Sequence, residues 1–186
     1  RGAKTRVRDL GRVAIGLGLV LIALHAIVLT IQPVEQATAL RQLLELLASD
    51  SAMNIAIGAL VTWASYSSVA TVLLVMSLAS THVIGGVPML ALILGANLGI
   101  IIPQYLGAGP DPVAHRLALG NLIIRGLGSL AVASLLSPIS HVLSYFAADP
   151  ARQAANFHLM FNLSLALVFI GVLSPLARLC ERLLPA

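Results

Sequence analysis

Charged residues are absent from a long central part of the chain. No aspartate, glutamate, lysine or arginine occurs in the 60 residues from Ser51 to Pro110. Over all 186 residues only 10% are charged and 59% are hydrophobic, whereas an ordinary soluble domain has about a quarter charged residues. Because hydrocarbon strongly penalises charge and unpaired backbone groups, this composition excludes an ordinary soluble globule and indicates a protein of the lipid bilayer.

Cysteine is almost absent as well. Cys180 is the single cysteine in the sequence, so the chain has no intrachain disulfide and no cysteine cluster that could hold a metal. The sequence therefore indicates neither redox chemistry nor a cofactor.

Basic residues are few, and almost half of them stand at the start. The formal net charge is +4, and five of the eleven basic residues form one cluster, namely Arg1, Lys4, Arg6, Arg8 and Arg12. Next to an apolar helix, such a cluster orients a membrane protein with this end in the cytoplasm, near acidic lipid headgroups. We therefore expect residues 1–12 to form a basic cytoplasmic juxtamembrane segment, and we expect no nucleic acid as a partner.

The apolar runs predict an all-α integral membrane protein. A crossing needs roughly 20 apolar residues, so the chain has room for about five or six membrane segments. Val13–Ile31 is the clearest span and is expected to end at Gln32–Pro33, because proline cannot continue the helical hydrogen-bond ladder. Further segments are predicted as spans at Leu117–Leu136 and Ala154–Leu173, and as amphipathic or interfacial stretches at Val34–Ala48 and Pro138–Asp149.

The expected architecture is therefore one compact membrane domain. We expect about four spans plus re-entrant or broken helices, which is one repeat of an inverted-repeat transporter. The transmembrane part covers residues 13–176 and a short tail covers residues 177–186.

A polar cluster interrupts the apolar run from Met53 to Ala79. This run is too long for a simple crossing, and Asp50 or Ser51 is placed to cap its start. Four polar residues, Ser65 to Ser68, lie inside it, and serine competes for backbone hydrogen bonds, so we predict a broken helix or hairpin there. Thr81 to Pro88 predicts a turn.

Glycine and asparagine mark a second interruption, in the run from Met89 to Leu106. Gly95, Gly99 and Pro103 lower its helix propensity, so we expect a discontinuity near its middle. The two glycines let another backbone or an ion approach closely, although the same spacing is as often a helix-packing face. Asn97 is harder to explain by packing, because its amide needs hydrogen-bond partners.

The hydroxyl-rich segment from Thr62 to Thr71 has the chemistry of an ion site. A break in a membrane helix exposes N–H groups, which favour anions, and carbonyl oxygens, which coordinate a hard cation such as sodium. Ser67 and Ser68 add hydroxyl groups at the same place. The alternative is that these hydroxyls bond back to the backbone of an ordinary packed helix.

Three short motifs together resemble those of the sodium-phosphate cotransporter family, the bacterial relatives of the type II sodium-phosphate cotransporters. That family carries Thr-x-x-x-Gln-Ser-Ser-Ser-Ala, then Gly-Ala-Asn-Ile-Gly-Thr, then His-x-x-Phe-Asn, and the same order occurs here. The matching residues are Thr62, Ser67, Ser68 and Ala70, then Gly95, Ala96, Asn97 and Gly99, and finally His158, Phe161 and Asn162. The chain departs from the family at Tyr66, Val69 and Ile100, where glutamine, serine and threonine are usual.

The resemblance implies inorganic phosphate as the substrate and sodium as the coupling ion. The implied phosphate- and ion-binding residues are Thr62, Tyr66, Ser67, Ser68, Thr71, Gly95, Asn97 and Gly99, of which Ser67, Ser68 and Asn97 are the implied sodium ligands. It also implies that the chain is the second of two inverted repeats. Because the first residue is Arg1 rather than methionine, we expect a piece of a longer protein, completed by the missing repeat or by a homodimer partner. The expected location is the bacterial inner membrane.

Two polar pairs with helical spacing are expected to support the site. His158 and Asn162 share one helix face, and the same spacing recurs at Asn121 and Arg125. We expect His158 to tie helices together by hydrogen bonds rather than to move protons. Arg125 can attract phosphate, snorkel to the membrane interface, or pair with a partner in the missing repeat.

Two other classes of function stay open at this point. In an intramembrane serine hydrolase, Ser67 or Ser68 would be the nucleophile and His158 the base, but no nucleophile-turn motif is present and no acid orients His158. In a structural or assembly module, the glycine and serine residues would serve helix contacts. Sodium-coupled phosphate transport by alternating access is the function that the sequence favours, and an enzyme is not expected.

Overall fold

The computed structural model describes residues 2–35 and 50–185, and all regular structure in these ranges is helical. The helices are α1 (Gly2–Glu35), α2 (Ser51–Ser65), α3 (Ser68–Ser80), α4 (Gly86–Gly99), α5 (Ile101–Leu106), α6 (Pro112–Ala133), α7 (Leu136–Phe146), α8 (Pro150–Phe169) and α9 (Leu173–Leu183), with a short 3-10 turn at Ile170–Val172. The predicted all-α fold class is confirmed.

Membrane crossing is possible for several of these helices. Among the described residues, three stretches of helix are long and apolar enough: Gly86–Leu106, Pro112–Ala133 and Pro150–Leu183. Their outer faces carry large apolar side chains, and Leu163, Leu167 and Val168 on α8 are each more than half exposed. Such faces suit contact with lipid rather than with water.

Helix α1 contains both the basic cluster and the predicted first span. It continues to Glu35, so the predicted end at Gln32–Pro33 is wrong. Proline removes one backbone hydrogen bond but has a φ angle that suits a helix, so α1 can pass Pro33 close to its own end. The amphipathic segment predicted at Val34–Ala48 lies outside the described residues beyond Glu35.

Helices α2 and α3 are separated by a break at the predicted place. The carboxylate of Asp50 accepts hydrogen bonds from the N–H groups of Ala52 and Met53, which fixes the start of α2. The helix ends before Tyr66, whose φ of 55° lies in the left-handed region, and α3 begins after Ser67. A charge-free apolar run is thus divided into helices of 15 and 13 residues.

Helix α4 is the centre of the fold, and it is continuous through the glycine motif. The discontinuity expected near the middle of Met89–Leu106 lies at Ile100, where α4 passes into α5, just after the glycine motif. Pro103 explains this position: it has no N–H group to donate to the carbonyl of Gly99, four residues before it. Packing of α4 against its neighbours outweighs the low helix propensity of glycine.

Three glycines bring α2 and α4 into backbone contact. A Cβ atom on Gly58 would overlap the carbonyl of Leu92, and a Cβ on Gly95 or Gly99 would overlap the carbonyls of Ile55 and Ala59. Gly95 meets Ile55 and Gly99 meets Ala59, four residues further along both helices, so α2 and α4 are parallel. The small-residue spacing is therefore a helix-packing face, as in other membrane helix pairs.

The later helices begin with the same short motif. Asp111 and Asp149 cap α6 and α8 with their carboxylates, and each is followed by a proline at the first helical position. The predicted interfacial segment is α7, which packs on α4 and α8. The predicted tail at residues 177–186 is helical to Leu183 and packs on α6, where Arg116 Nε donates to the carbonyl of Leu184 at 2.9 Å.

Candidate functional site

The break between α2 and α3 is built by local hydrogen bonds. Tyr66 takes the left-handed conformation, which lets the chain turn within two residues. The hydroxyl of Ser67 then accepts a hydrogen bond of 3.1 Å from the N–H of Ala70, so Ser67 is the N-cap of α3. Its carbonyl accepts from both the N–H and the hydroxyl of Thr71.

A buried hydrogen bond joins the two helices beside this break. The hydroxyl of Thr62 donates to that of Thr71 at 2.7 Å, and these side chains are 0% and 2% exposed. Both predicted site residues therefore hold the hairpin together in this conformation.

At the break, Ser68 and Tyr66 are the residues whose side chains remain available to a ligand. In the described part of the chain the hydroxyl of Ser68 makes no hydrogen bond, and the side chain of Tyr66 is 67% exposed. The first N–H groups of a helix have no partner within it, and those of Ser68 and Val69 donate no hydrogen bond among the described residues. The break thus presents amide and hydroxyl donors at the positive end of a helix.

Asn97 lies at the centre of a separate polar cluster inside the helix bundle. Its side chain is 0% exposed, and its Nδ2 donates to the carbonyl of Ile93 at 3.0 Å. Its Oδ1 accepts from Arg125 Nη1 at 2.6 Å and from Asn162 Nδ2 at 3.1 Å. The amide was expected to need partners, and residues of two further helices, α6 and α8, supply them.

The polar cluster continues from Arg125 towards α5. Arg125 Nε donates to Asn121 Oδ1 at 2.9 Å, and Asn121 Nδ2 donates to Gln104 Oε1 at 2.6 Å. Gln104 is a member of the cluster that was not predicted, although an amide in the apolar stretch before Leu106 was a usable signal. The Arg125 guanidinium thus bonds to amide oxygens of α4 and α6.

The second polar pair meets the same asparagine from the opposite helix. Asn162 Nδ2 donates to the carbonyl of His158 at 2.8 Å, and His158 Nδ1 lies 3.5 Å from the amide nitrogens of both Asn97 and Asn162. The two predicted pairs, one on α6 and one on α8, therefore converge on Asn97. We call this set the Asn97 cluster; its members are Asn97, Gln104, Asn121, Arg125, His158 and Asn162.

The helix break and the Asn97 cluster are distinct places on the chain. Among the described residues, no hydrogen bond joins Ser67 or Ser68 to Asn97, whose Oδ1 is held by Arg125 and Asn162. Gly95 and Gly99 lie in the packing face against α2. The roles in ion binding given to all these residues stay predictions.

Comparison with known proteins identifies relatives. A family model described as Na+/Pi-cotransporter matches residues 31–174 of the chain. The Escherichia coli protein named "Putative inorganic phosphate export protein YjbB" is 33% identical over 182 residues, which cover 97% of this chain and 34% of that protein. The protein of the same name in Salmonella typhimurium is 32% identical, with the same shares covered.

A third relative is less similar in sequence. The "Uncharacterized protein YqeW" of Bacillus subtilis is 28% identical over 131 residues, which cover 70% of this chain and 43% of that protein. No solved structure matches the chain. The chain spans about a third of the length of the first two relatives.

Proposed function

The chain belongs to the Na+/Pi-cotransporter family, and from this we propose that it is part of a membrane protein that transports inorganic phosphate, coupled to sodium, by alternating access. The observation that carries this proposal is the helix break between Ser65 and Ser68, in a stretch of 60 residues without a charged side chain. Backbone donors at such a depth need a partner, and a transported ion can supply it.

Phosphate suits the α3 side of the break. The N–H groups of Ser68 and Val69 lie at the positive end of α3 without a partner in the helix, and the Ser68 hydroxyl makes no hydrogen bond among the described residues. Phosphate is an anion with several acceptor oxygens, so it pairs with these donors. The phenol of Tyr66 supplies a further donor where the family motif has an amide.

Sodium suits the α2 side of the same break. The C-terminal end of α2 carries carbonyl oxygens and the negative end of the helix dipole. Together with the hydroxyl oxygens of Ser67 and Ser68, they form a set of hard oxygen ligands. Sodium ligation by Asn97 is also part of the proposal; it requires that Asn97 Oδ1 leaves Arg125, because a guanidinium on this oxygen repels a cation.

The other wall of the transport site comes from outside this repeat. Trp63, Tyr66 and Val69 at the break are 40%, 67% and 56% exposed. A facing repeat of the same protein, or a second copy of the chain, would cover them, and rocking of the two repeats would open the site to either side. We place the protein in a bacterial inner membrane, with the basic start of α1 in the cytoplasm.

Flux measurements in proteoliposomes test this function. Radiolabelled phosphate is followed into and out of vesicles that contain the full-length protein, with a sodium gradient of either direction or none, and with labelled sulfate as the control anion. We expect phosphate flux that follows the sodium gradient and little sulfate flux. Phosphate flux that is equal without sodium would refute the coupling, and no phosphate flux in any gradient would refute the substrate.

The geometry does not favour the serine hydrolase. The Ser67 hydroxyl is used as an N-cap, and His158 Nδ1 lies beside the amides of Asn97 and Asn162. Among the described residues no hydrogen bond joins His158 to a serine, so no nucleophile–base pair is formed. Labelling of Ser67 or Ser68 by a fluorophosphonate probe in folded protein would overturn this conclusion.

A further inference from the structure

Helix α6 carries a positive charge without a counter-charge. Arg125 lies about 20 Å along α6 from its start at Pro112, at 1.5 Å per residue. In the described part of the chain no carboxylate pairs with it, and the acids nearest in sequence, Asp111 and Asp149, are used as N-caps. A charge inside a membrane protein is costly unless it is paired, so this position calls for an anion.

The Arg125 guanidinium is held in place by hydrogen bonds from two of its three nitrogens. Nε donates to Asn121 Oδ1 at 2.9 Å and Nη1 donates to Asn97 Oδ1 at 2.6 Å. Among the described residues Nη2 donates no hydrogen bond. The two amide oxygens orient the guanidinium but carry no full charge, so both N–H groups of Nη2 are fixed and ready for an acceptor.

A cleft opens beside the Arg125 side chain. It has a volume of about 330 Å³ and lies between α6, α8 and the start of α9. Arg125, Asn121 and Asn162 are its polar lining, and the rest is apolar, including Leu165 and Phe169. A water molecule occupies about 30 Å³ in the liquid, so the cleft has room for a small hydrated oxyanion.

We propose that this cleft binds a phosphate oxyanion, with Nη2 of Arg125 as its charged donor. The inference rests on the proposed function, since phosphate is then the anion that the protein meets. A free phosphate and a lipid phosphate share the chemistry that Arg125 recognises. The middle of α6 lies away from the headgroups at its ends, which favours the free ion. Neither Ser67 nor Ser68 lines this cleft, so the cleft is a second phosphate position, separate from the helix break.

Equilibrium binding of labelled phosphate to the purified full-length protein tests the site. We expect Arg125→Gln to weaken phosphate binding in the cleft roughly 10- to 100-fold, as for the loss of a charged hydrogen bond, to leave binding at the helix break unchanged, and Arg125→Lys to have a smaller effect. Arg116→Gln is the matched control, because Arg116 lies on the same helix and bonds to the Leu184 carbonyl outside the cleft. Its phosphate affinity should equal that of the parent protein.

A second measurement needs no variant. Phenylglyoxal, which modifies arginine, is applied to the parent protein, and modification of Arg125 and Arg116 is quantified by mass spectrometry. We expect phosphate to slow the modification of Arg125 several-fold and to leave Arg116 unaffected. The inference is wrong if phosphate gives Arg125 no protection and Arg125→Gln binds phosphate like the parent protein. The proposed function still stands in that case, provided that the parent protein shows sodium-driven phosphate flux.

Nanodiscs separate the two sources of phosphate. The parent protein is placed in discs of phosphatidylcholine alone or with phosphatidylglycerol. If the anionic lipid abolishes phosphate protection of Arg125, and Arg125→Gln loses a tightly retained lipid, the cleft is a lipid site and the inference is overturned. Failure of the parent protein to bind or transport phosphate under any condition would instead refute the proposed function.

Discussion

The hydroxyl of Thr62 donates a 2.7 Å hydrogen bond to the hydroxyl of Thr71, and this contact closes the hairpin between α2 and α3. The two residues are nine apart in sequence, and both are buried. Thr71 in turn donates to the carbonyl of Ser67, the residue that caps α3. The shape of the helix break therefore depends on two side chains that are buried in this conformation.

Removal of the Thr62–Thr71 hydrogen bond should destabilise the hairpin. We expect Thr62→Val to lower the free energy of unfolding by about 1–3 kcal/mol, because the hydroxyl of Thr71 loses a buried donor. Unfolding by SDS titration measures this. The double variant with Thr71→Val should cost less than the sum of the two single variants, since the two changes remove one shared bond. Strict additivity would show that the hydroxyls do not act as a pair.

Ser67 and Ser68 should separate into a structural and a binding role. Ser67→Ala removes the N-cap of α3 and should cost about 1 kcal/mol of stability. Ser68→Ala removes no side-chain hydrogen bond among the described residues, so stability should change by less than about 0.5 kcal/mol while phosphate uptake falls. Uptake into proteoliposomes and SDS titration give the two readouts.

Controls for the serine variants are available in the same chain. Ser144→Ala changes an exposed serine on α7 and should leave uptake as in the parent protein. The double variant of Ser67 and Ser68 should abolish sodium-dependent uptake and stay folded. Parental uptake in that double variant would remove both serines from the site.

The glycine face between α2 and α4 should not accept a methyl group. A Cβ on Gly95 would overlap the carbonyl of Ile55, so Gly95→Ala should destabilise the protein by about 1–3 kcal/mol or more. Gly126→Ala is the matched control, since nothing lies within 4 Å of its Cβ position and alanine favours a helix. Equal stability of the two variants would mean that α2 and α4 lie further apart than the structure shows.

The helix break could be predicted from the sequence because its cause is local. Ser65 to Ser68 stand in an apolar run, and their side chains compete with the helix for backbone groups. The end of α4 could not be placed from propensity, since the contacts of Gly95 and Gly99 with α2 stabilise the helix that glycine alone would weaken. Pro103 was the correct local signal, and its effect is the break at Ile100, just past the midpoint of the run.

Only part of the Asn97 cluster could be predicted from the sequence. Helical spacing identified the pairs on α6 and α8, because residues four apart share a face. Nothing local shows that both faces meet at Asn97, which is 28 residues from Arg125 and 65 from Asn162. Such contacts depend on how whole helices pack, and for this reason the role of Arg125 stayed open among three alternatives.

Asn97 should be essential to the hydrogen-bonded arrangement of the Asn97 cluster. Asn97→Ala leaves Arg125 Nη1 and Asn162 Nδ2 without their shared acceptor in a buried position, so we expect a loss of about 2–4 kcal/mol of stability. Asn97→Asp keeps the acceptor and places a carboxylate on the guanidinium. It should therefore stay folded but bind phosphate more weakly, because Arg125 is then neutralised from within the protein. An unchanged sodium dependence of uptake in Asn97→Ala would show that Asn97 has only a packing role. If Asn97→Asp binds phosphate as tightly as the parent protein, the charge of Arg125 is not what attracts the anion.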